Sequence, residues 1–168
     1  MRGRTLCKAE GERYGKYRPI KINNIQYSHS LGLNLYGLNW AKNNIKIIKK
    51  AIVFESEKSV LQYMSYFGIE NNIAVACCGS SISMFQIKQL LDCQVEEIII
   101  AFDRQFQEIR DKEYFKLIKN LERINSKYSK YVLLSFIFDN KMITEYKDSP
   151  TDKGKDVFLK LYKERIFL

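Results

Sequence analysis

The sequence predicts an α/β protein built on a mostly parallel sheet of about four strands flanked by helices. Two observations predict this fold: from Ala51 onward short apolar runs alternate with amphipathic segments, and most of these runs are continuously apolar. The alternation indicates successive βα units, and continuous apolarity is typical of strands that helices cover on both faces. No run reaches the roughly 18 apolar residues of a membrane span, and the N-terminus lacks the apolar core of a signal peptide. We therefore expect a soluble, cytoplasmic protein without a membrane partner.

Each predicted strand is followed by a predicted helix. The strands are expected at residues 51–54, 73–76, 97–102 and 131–138, and the helices at residues 57–67, 83–92, 108–127 and 151–165. Ser83 is an expected N-cap, because Gln86 follows it at the capping-box spacing. Right-handed crossovers bring the carboxyl ends of all the strands to one edge of the sheet, which is where such sheets bind ligands.

Residues 1–48 are expected to form a small basic α+β subdomain of loops and short strands, ahead of the sheet domain at residues 49–168. The net charge is +9, yet residues 1–50 hold 11 Lys and Arg against 2 Asp and Glu, while the rest of the chain holds 17 of each. Such a surface is often only solvated. Its concentration in one segment, interleaved with tyrosines able to stack on bases, favours nucleic-acid binding.

Several other chemistries are disfavoured. The four cysteines form no CxxC pair, so neither a zinc site nor a disulfide framework is expected. His29 is the sole histidine, which argues against a His-based triad. The sequence contains no GxGxxG, which excludes a nucleotide-binding dehydrogenase.

Acidic residues follow the predicted strands. Glu55 and Asp103 come directly after two of them, and Asp139 and Asp148 occupy the loop after the last strand. Two poorly hydrated carboxylates that meet at one edge repel each other and favour a divalent cation, and oxygen ligands suit Mg²⁺ or Mn²⁺. Each of these acids could equally be a turn residue or a helix N-cap.

The order of the motifs narrows the choice of family. Four segments resemble, in sequence, the TOPRIM domain of bacterial-type DNA primases: IVFESEKSVL at 52–61, CGSSISMFQI at 78–87, IIIAFD at 98–103 and KDSP at 147–150. In that family a Glu follows the first strand, a Gly-Ser/Thr turn the second, and a DxD motif the third. Upstream, Gly3-Arg4, Lys16-Tyr17 and the segment at 35–38 are similar to the part of the primase polymerase core that precedes this domain, so the resemblance covers nearly the whole chain.

Two positions depart from the family pattern. The second aspartate of DxD is replaced by Gln105, and the acid usually found four residues after the first Glu is replaced by Ser59. Each change removes a metal ligand, so a site for one cation is expected more readily than a two-metal cluster.

The resemblance implies a nucleotidyltransferase that synthesises RNA primers on single-stranded DNA during DNA replication, using ribonucleoside triphosphates and Mg²⁺ or Mn²⁺, with a replicative helicase as a further partner. It implies catalytic roles for Glu55 and Asp103, with Asp148 and Asp139 as additional metal ligands. It also implies a set of nucleic-acid and nucleotide contacts at Arg4, Lys16, Tyr17, Arg18, Lys21, Gly79, Ser80, Ser81 and Arg104.

Other interpretations remain open. Arg104 and Gln105 could contact phosphate or be surface residues at a helix start, and the Gly79–Ser81 turn could be an ordinary capped turn. The alternatives for the whole protein are a TOPRIM nuclease, or a non-catalytic nucleic-acid-binding module that has lost the second aspartate. If the primase interpretation holds, residues 2–21 should face the same cleft as Glu55 and Asp103.

Overall fold

The computed structural model describes residues 2–15, 17–27 and 30–168, in two units that meet between Leu31 and Gly32. In the first unit an antiparallel sheet has the order β1 (Arg2–Arg4), β2 (Tyr17–Ile22), β3 (Ile25–Tyr27), and α1 (Lys8–Tyr14) connects β1 to β2. The β2–β3 hairpin turns at Asn23 and Asn24, whose φ angles of 47° and 61° are those of a type I′ turn. Asparagine tolerates this left-handed geometry.

The second unit contains the predicted parallel sheet, which is confirmed. Its strands are β4 (Lys50–Phe54), β5 (Ala74–Ala76), β6 (Glu97–Ala101) and β7 (Leu133–Phe136), in the spatial order β5-β4-β6-β7, and every neighbouring pair is parallel. All residues of β5 and β6 are buried, as are the last four of β4. This burial explains why the strands read as continuous apolar runs.

The first helix of the second unit begins before the predicted domain boundary. The helices of this unit are α2 (Leu38–Ile48), α3 (Glu57–Phe67), α4 (Met84–Leu91), α5 (Lys112–Tyr128) and α6 (Lys155–Lys163). Helix α2 was expected as loops and short strands, but Ala41 and Ile45 on it are fully buried in the core of this unit. The compact unit thus includes residues ahead of 49, while the boundary at 48 and 49, drawn from family resemblance, stays a prediction.

Two helices start later than their apolar patterns indicated. Helix α5 begins at Lys112 because Asp111 caps it, its Oδ1 accepting from the Tyr114 N–H at 2.6 Å. Helix α6 begins at Lys155 because the chain first makes a turn that ends at Gly154, whose φ of 93° is not helical. Both displacements leave a structured loop at the carboxyl edge of the sheet.

The core beneath that edge is aromatic. The ring of Phe54, the last residue of β4, lies 6.4 Å from Tyr63 of α3 and 6.2 Å from Phe158 of α6. These contacts fix α3 and α6 against the end of β4, directly beneath the residue that follows it. Among the described residues, no helix has both the length and the apolar character needed to cross a bilayer.

Candidate metal and nucleotide site

Glu55 and Asp103 lie side by side at the carboxyl edge of the sheet. Phe54 and Ala101 are register partners on neighbouring parallel strands, so the chain segments that follow them emerge together. The main-chain N–H of Asp103 donates a hydrogen bond to the Glu55 carboxylate. Both side chains are only partly exposed. The structure thus brings together the two acids that were predicted to meet.

Gln105 contacts the Glu55–Asp103 pair through Glu55. Its Nε2 donates a hydrogen bond of 2.9 Å to Oε1 of Glu55. The amide that stands in the place of the second DxD aspartate therefore orients the first acid of the site, and Glu55 accepts hydrogen bonds from the backbone of one DxD position and the side chain of another.

The electrostatics of the pair are unfavourable for two negative charges. Burial, and then the charge of Asp103, raise the pKa of Glu55 to about 7 in spite of its two hydrogen bonds. Burial, together with the carboxylates of Asp152 and Asp148, raises the pKa of Asp103 to about 6, against the opposing effects of Lys58 and of a hydrogen bond from the Ser149 side chain. Repelling carboxylates in a poorly hydrated site create the field that attracts a cation.

One atom of the pair lacks a partner. Oδ1 of Asp103 is buried and accepts no hydrogen bond from the described residues. No group of three or more Asp, Glu, His or Cys side chains in the described part of the chain could hold a metal ion alone. Magnesium, however, is commonly held by one or two carboxylates and completes its shell with water and substrate phosphates. The residues present therefore fit one such cation at Glu55 and Asp103.

A lysine and a further acid adjoin the pair. Nζ of Lys58, on the first turn of α3, lies 2.7 Å from Oδ1 of Asp152. Burial would raise the pKa of Asp152, but the contact with Lys58 outweighs burial, and the pKa is lowered. Neither residue was singled out from the sequence. The sequence feature that could have indicated Asp152 is a second acid four residues after Asp148, in the segment DSPTD at 148–152.

The two acids predicted as additional ligands differ in their surroundings. Asp148 is close enough to raise the pKa of Asp103; its Oδ2 accepts from the Glu145 N–H at 2.9 Å and lies 3.5 Å from Nζ of Lys153. Asp139 is buried and accepts three hydrogen bonds, from the N–H of Ile143 and from the N–H and hydroxyl of Thr144.

Asp139 thus acts as a turn residue, which is one of the roles that the sequence left open for it. Metal ligation by Asp139 stays a prediction, and this use of its oxygen atoms disfavours it.

Ser59 begins a chain of buried hydroxyl groups. It takes the place of the acid of the family pattern, is fully buried, and its Oγ donates to Oγ of Ser149 at 2.8 Å. The chain continues from Ser149 to Thr151 at 3.3 Å and from Thr151 to Oε1 of Gln62 at 2.9 Å. These hydroxyl groups tie α3 to the loop that carries Asp148 and Asp152.

Arg104 points into the protein. It is only 7% exposed, and its guanidinium donates to the carbonyl oxygens of Glu145 and Phe106, each at 3.1 Å. Its main chain also pairs with Asp148 and Lys147. Arg104 therefore holds the acidic loop against the end of β6; it is not a surface residue at a helix start, and the burial disfavours its predicted phosphate contact.

The Gly79–Ser81 turn precedes α4 on the exposed surface. Helix α4 is capped by Ser83 and Gln86 in a complete capping box, as predicted. A Cβ placed at Gly79 would meet no atom within 4 Å, so packing does not require glycine there. The carbonyl of Ser80 accepts from Nδ2 of Asn120 on α5 at 3.0 Å, which joins this turn to that helix.

The predicted template-binding residues belong to the first unit. Arg4 and Tyr17 are register partners in β1 and β2. Arg18 pairs with Glu10 at 2.5 Å, and Lys21 is exposed. Lys16 and His29 lie outside the described residues. The expected position of residues 2–21 over the carboxylates stays a prediction.

Residues 50–107 match the family model of the Toprim domain. The chain contains a TOPRIM domain. Glu55, Asp103 and Gln105 all lie within the matched residues, and they are the residues that converge at the carboxyl edge of the sheet.

A curated protein of Bacillus subtilis, the SPbeta prophage-derived uncharacterized protein YorJ, is 39% identical over 99% of this chain, which covers 46% of YorJ. Among solved structures, the Aquifex aeolicus primase (zinc-binding and RNA polymerase domains) aligns over 99% of the chain with a TM-score of 0.65 and 22% identity, and 37% of that protein is covered.

A DnaG primase catalytic domain bound to single-stranded DNA aligns equally widely, with a TM-score of 0.64 and 20% identity over 47% of its own length. The chain therefore spans less than half of each of these proteins. The fold of the chain is similar to that of the aligned part of a bacterial primase catalytic core.

Proposed function

We propose that this protein is a primase-like nucleotidyltransferase core that joins ribonucleotides on a single-stranded DNA template, in DNA replication. The observation that carries the proposal is the Glu55–Asp103 pair, with its raised pKa values and the unpartnered Oδ1 of Asp103. The TOPRIM family match and the likeness of the fold to primase cores support the choice of chemistry.

Glu55 and Asp103 would hold Mg²⁺ or Mn²⁺, with Asp148 beside them. A bound divalent cation would neutralise charge on the transferred phosphoryl group and its leaving oxygen. Asp103, fixed in place through its backbone contact with Glu55, would present its free oxygen to the cation, and Gln105 would keep the Glu55 carboxylate in one orientation.

In the reaction, the 3′-hydroxyl oxygen forms a bond to the α-phosphorus of the incoming triphosphate, and the bond to the pyrophosphate oxygen breaks. The hydroxyl proton passes to a base. Where Asp103 and Asp148 hold the cation and Glu55 does not, the Glu55 carboxylate suits this role, because a pKa near 7 lets a carboxylate accept a proton at neutral pH. The Gly79–Ser81 turn would contact phosphate through its backbone and hydroxyl groups.

The first unit would hold the template through Arg4, Lys16, Tyr17, Arg18 and Lys21. The contact between Arg18 and Glu10 joins two exposed side chains, so it is weak enough to exchange for a phosphate. A replicative helicase as a partner remains part of the proposal.

A non-catalytic nucleic-acid-binding TOPRIM module is the second candidate. The observation in its favour is that Gln105 supplies an amide where a DxD motif supplies a carboxylate, and that this amide is engaged by Glu55. Such a module would bind DNA and cation without turnover.

One assay separates the candidates. The protein is incubated with single-stranded DNA, labelled ribonucleotides and Mg²⁺ or Mn²⁺. Primer synthesis that is abolished in Glu55→Gln and retained in Glu96→Gln, an exposed glutamate just before β6, supports the primase proposal. Cleavage of the template would instead indicate a nuclease, and binding without either reaction would indicate the non-catalytic module.

A further inference from the structure

The exposed surface of α5 carries a row of cations along its length, together with the acids Glu113 and Glu122. Its buried face consists of Leu117, Leu121, Ile124 and Tyr128. On the remaining surface, cations recur at spacings of three and four residues, which places them in one stripe along the helix; all are exposed, and they are Lys112, Lys116, Lys119, Arg123 and Lys127.

Most of this charge is uncompensated. Lys116 pairs with Glu113 at 3.3 Å between two exposed side chains, a geometry that contributes little. In the described part of the chain, Lys119, Arg123 and Lys127 form no ion pair with a carboxylate. The guanidinium of Arg123 is instead oriented by Asn120, whose Oδ1 accepts from Nη2 at 2.8 Å.

The stripe borders an open cavity. A space of about 450 Å³ lies between α5 and the Gly79–Ser81 turn, lined among others by Lys116, Lys119, Arg123, Ser80, Ser81 and Gln105. A second space of about 230 Å³ extends it along the helix towards Lys127. Ser81 and Arg123 line both spaces, so the two are adjacent, and together they are called the α5 groove.

The α5 groove reaches the carboxylate pair through one residue. Gln105 lines it and also donates to Oε1 of Glu55. A polyanion that lay in the groove would therefore pass beside Gln105, the residue that contacts Glu55.

We propose that the α5 groove binds the phosphate backbone of a single nucleic-acid strand and leads it to Glu55 and Asp103. The inference rests on the proposed function in taking a nucleic-acid strand as the occupant. The cations and hydroxyl groups of the groove match phosphate oxygens. Among the described residues that line the groove, the one aromatic side chain is that of Tyr128, which is 1% exposed. Because this ring is not available to stack on bases, we expect the groove to hold the backbone of the strand.

The length of the stripe selects a strand over a single nucleotide. Lys116 and Lys127 are the first and last cations on the helix that line the groove, and between them the helix rises by about 16 Å at 1.5 Å per residue. A stacked strand advances about 3.4 Å per nucleotide, so this length matches roughly five phosphates. A nucleoside triphosphate would occupy only one end.

The test is the salt dependence of single-strand binding, measured by fluorescence anisotropy with a labelled oligonucleotide of about 12 nucleotides. The variant is Lys119→Gln/Arg123→Gln/Lys127→Gln, and the matched control with the same charge change is Lys88→Gln/Lys160→Gln/Lys163→Gln on α4 and α6. All six side chains are exposed, so both variants should fold, which thermal unfolding checks.

The groove variant should lose about 2 from the magnitude of the slope of log K against log salt, at about 0.7 per phosphate contact. Its gain in affinity when the salt falls from about 1 M to about 0.1 M should therefore be roughly 100-fold smaller than that of the wild type. The control should keep the wild-type slope. Equal loss in both variants, or loss of triphosphate binding with unchanged strand binding, would overturn the inference.

The outcome is independent of catalysis. Glu55→Gln should bind the strand with the wild-type slope while it makes no primer. A changed slope in the groove variant of a protein that makes no primer would uphold the groove and reject the primase proposal. An unchanged slope in the groove variant of a protein that makes primers would uphold the primase proposal and reject the groove.

Discussion

Nε2 of Gln105 lies 2.9 Å from Oε1 of Glu55 and donates a hydrogen bond to it. A carboxylate at position 105 could not do this, because it would repel Glu55 unless a cation lay between them. The substitution of an amide for an acid therefore exchanges a potential metal ligand for a contact that holds the remaining acid in place without metal.

The first prediction follows from this exchange. Gln105→Asp should lower the melting temperature in metal-free buffer, because a third carboxylate joins Glu55 and Asp103, and should bind Mn²⁺ more tightly than the wild type. At a Mn²⁺ concentration of 100 times Kd, binding adds about 2.7 kcal/mol of stability. Calorimetry with and without Mn²⁺ measures both effects.

Gln94→Asp is the matched control, since Gln94 is exposed and lies just ahead of β6. It should show neither effect. Weaker Mn²⁺ binding by Gln105→Asp would contradict the assignment of the site.

The second prediction compares two aspartates. Asp103→Asn should remove most Mn²⁺-dependent stabilisation and leave the metal-free protein as stable or more so, because a repelled carboxylate is lost. Asp139→Asn should cost about 1–3 kcal/mol with or without Mn²⁺, because an NH₂ group would replace an oxygen that accepts from buried donors. Denaturant titrations at two Mn²⁺ concentrations distinguish them; a loss of Mn²⁺ response in Asp139→Asn would make Asp139 a ligand after all.

The third prediction concerns pH. Glu97 is 4% exposed. Burial alone would raise the pKa of Glu97, but hydrogen bonds from the side chains of Arg165, Lys50 and Ser135 outweigh burial and lower the pKa from 4.5 to about 2. Between these values the folded protein binds fewer protons than the unfolded chain, so the contribution of Glu97 is complete above pH 4.5 and is lost as the pH falls towards 2.

The lowered pKa corresponds to about 3 kcal/mol. Glu97→Gln should therefore be less stable than the wild type at pH 7, and the difference should shrink as the pH falls from 4.5 to 2. Urea titrations across this range measure it. A difference that stays constant with pH would mean that packing, not charge, is what the substitution disturbs.

The fourth prediction concerns the buried hydroxyl chain. Ser59→Ala should cost about 1–3 kcal/mol, because Ser149 would lose a hydrogen-bond partner in a buried site. Ser126→Ala, at an exposed position of α5, should change stability by less than about 0.5 kcal/mol. Chemical denaturation of both variants provides the comparison, and equal effects would show that the hydroxyl chain is not stabilising.

The sheet and the Glu55–Asp103 pair could be predicted because both depend on periodicity. Parallel strands joined by helical crossovers all end at one edge of the sheet, so the position of a residue that directly follows a strand can be predicted. Helix α2 was missed although its apolar residues Leu38, Ala41 and Ile45 recur at helical spacing. Three asparagines among its residues lower its helix propensity.

Side-chain direction after a strand could not be predicted. Arg104 lies between two site residues, yet it points inward, because carbonyl oxygens of Glu145 and Phe106 are available there. The sequence does not show those distant acceptors. The α5 groove was missed for a different reason. Equal numbers of acidic and basic residues after residue 50 suggested a neutral surface. The net charge of a segment does not show that the fold places basic residues on one face and acidic residues elsewhere.

One antiparallel bridge covers part of each outer edge of the sheet. Tyr36 exchanges two main-chain hydrogen bonds with Ala76 on the outer strand β5, at 2.9 and 3.0 Å, and Ile166 exchanges two with Phe136 on the outer strand β7, both at 2.9 Å. Exposed strand edges are templates for edge-to-edge aggregation. Segments from before and after the sheet thus protect an almost wholly apolar set of strands from pairing with those of a neighbouring molecule.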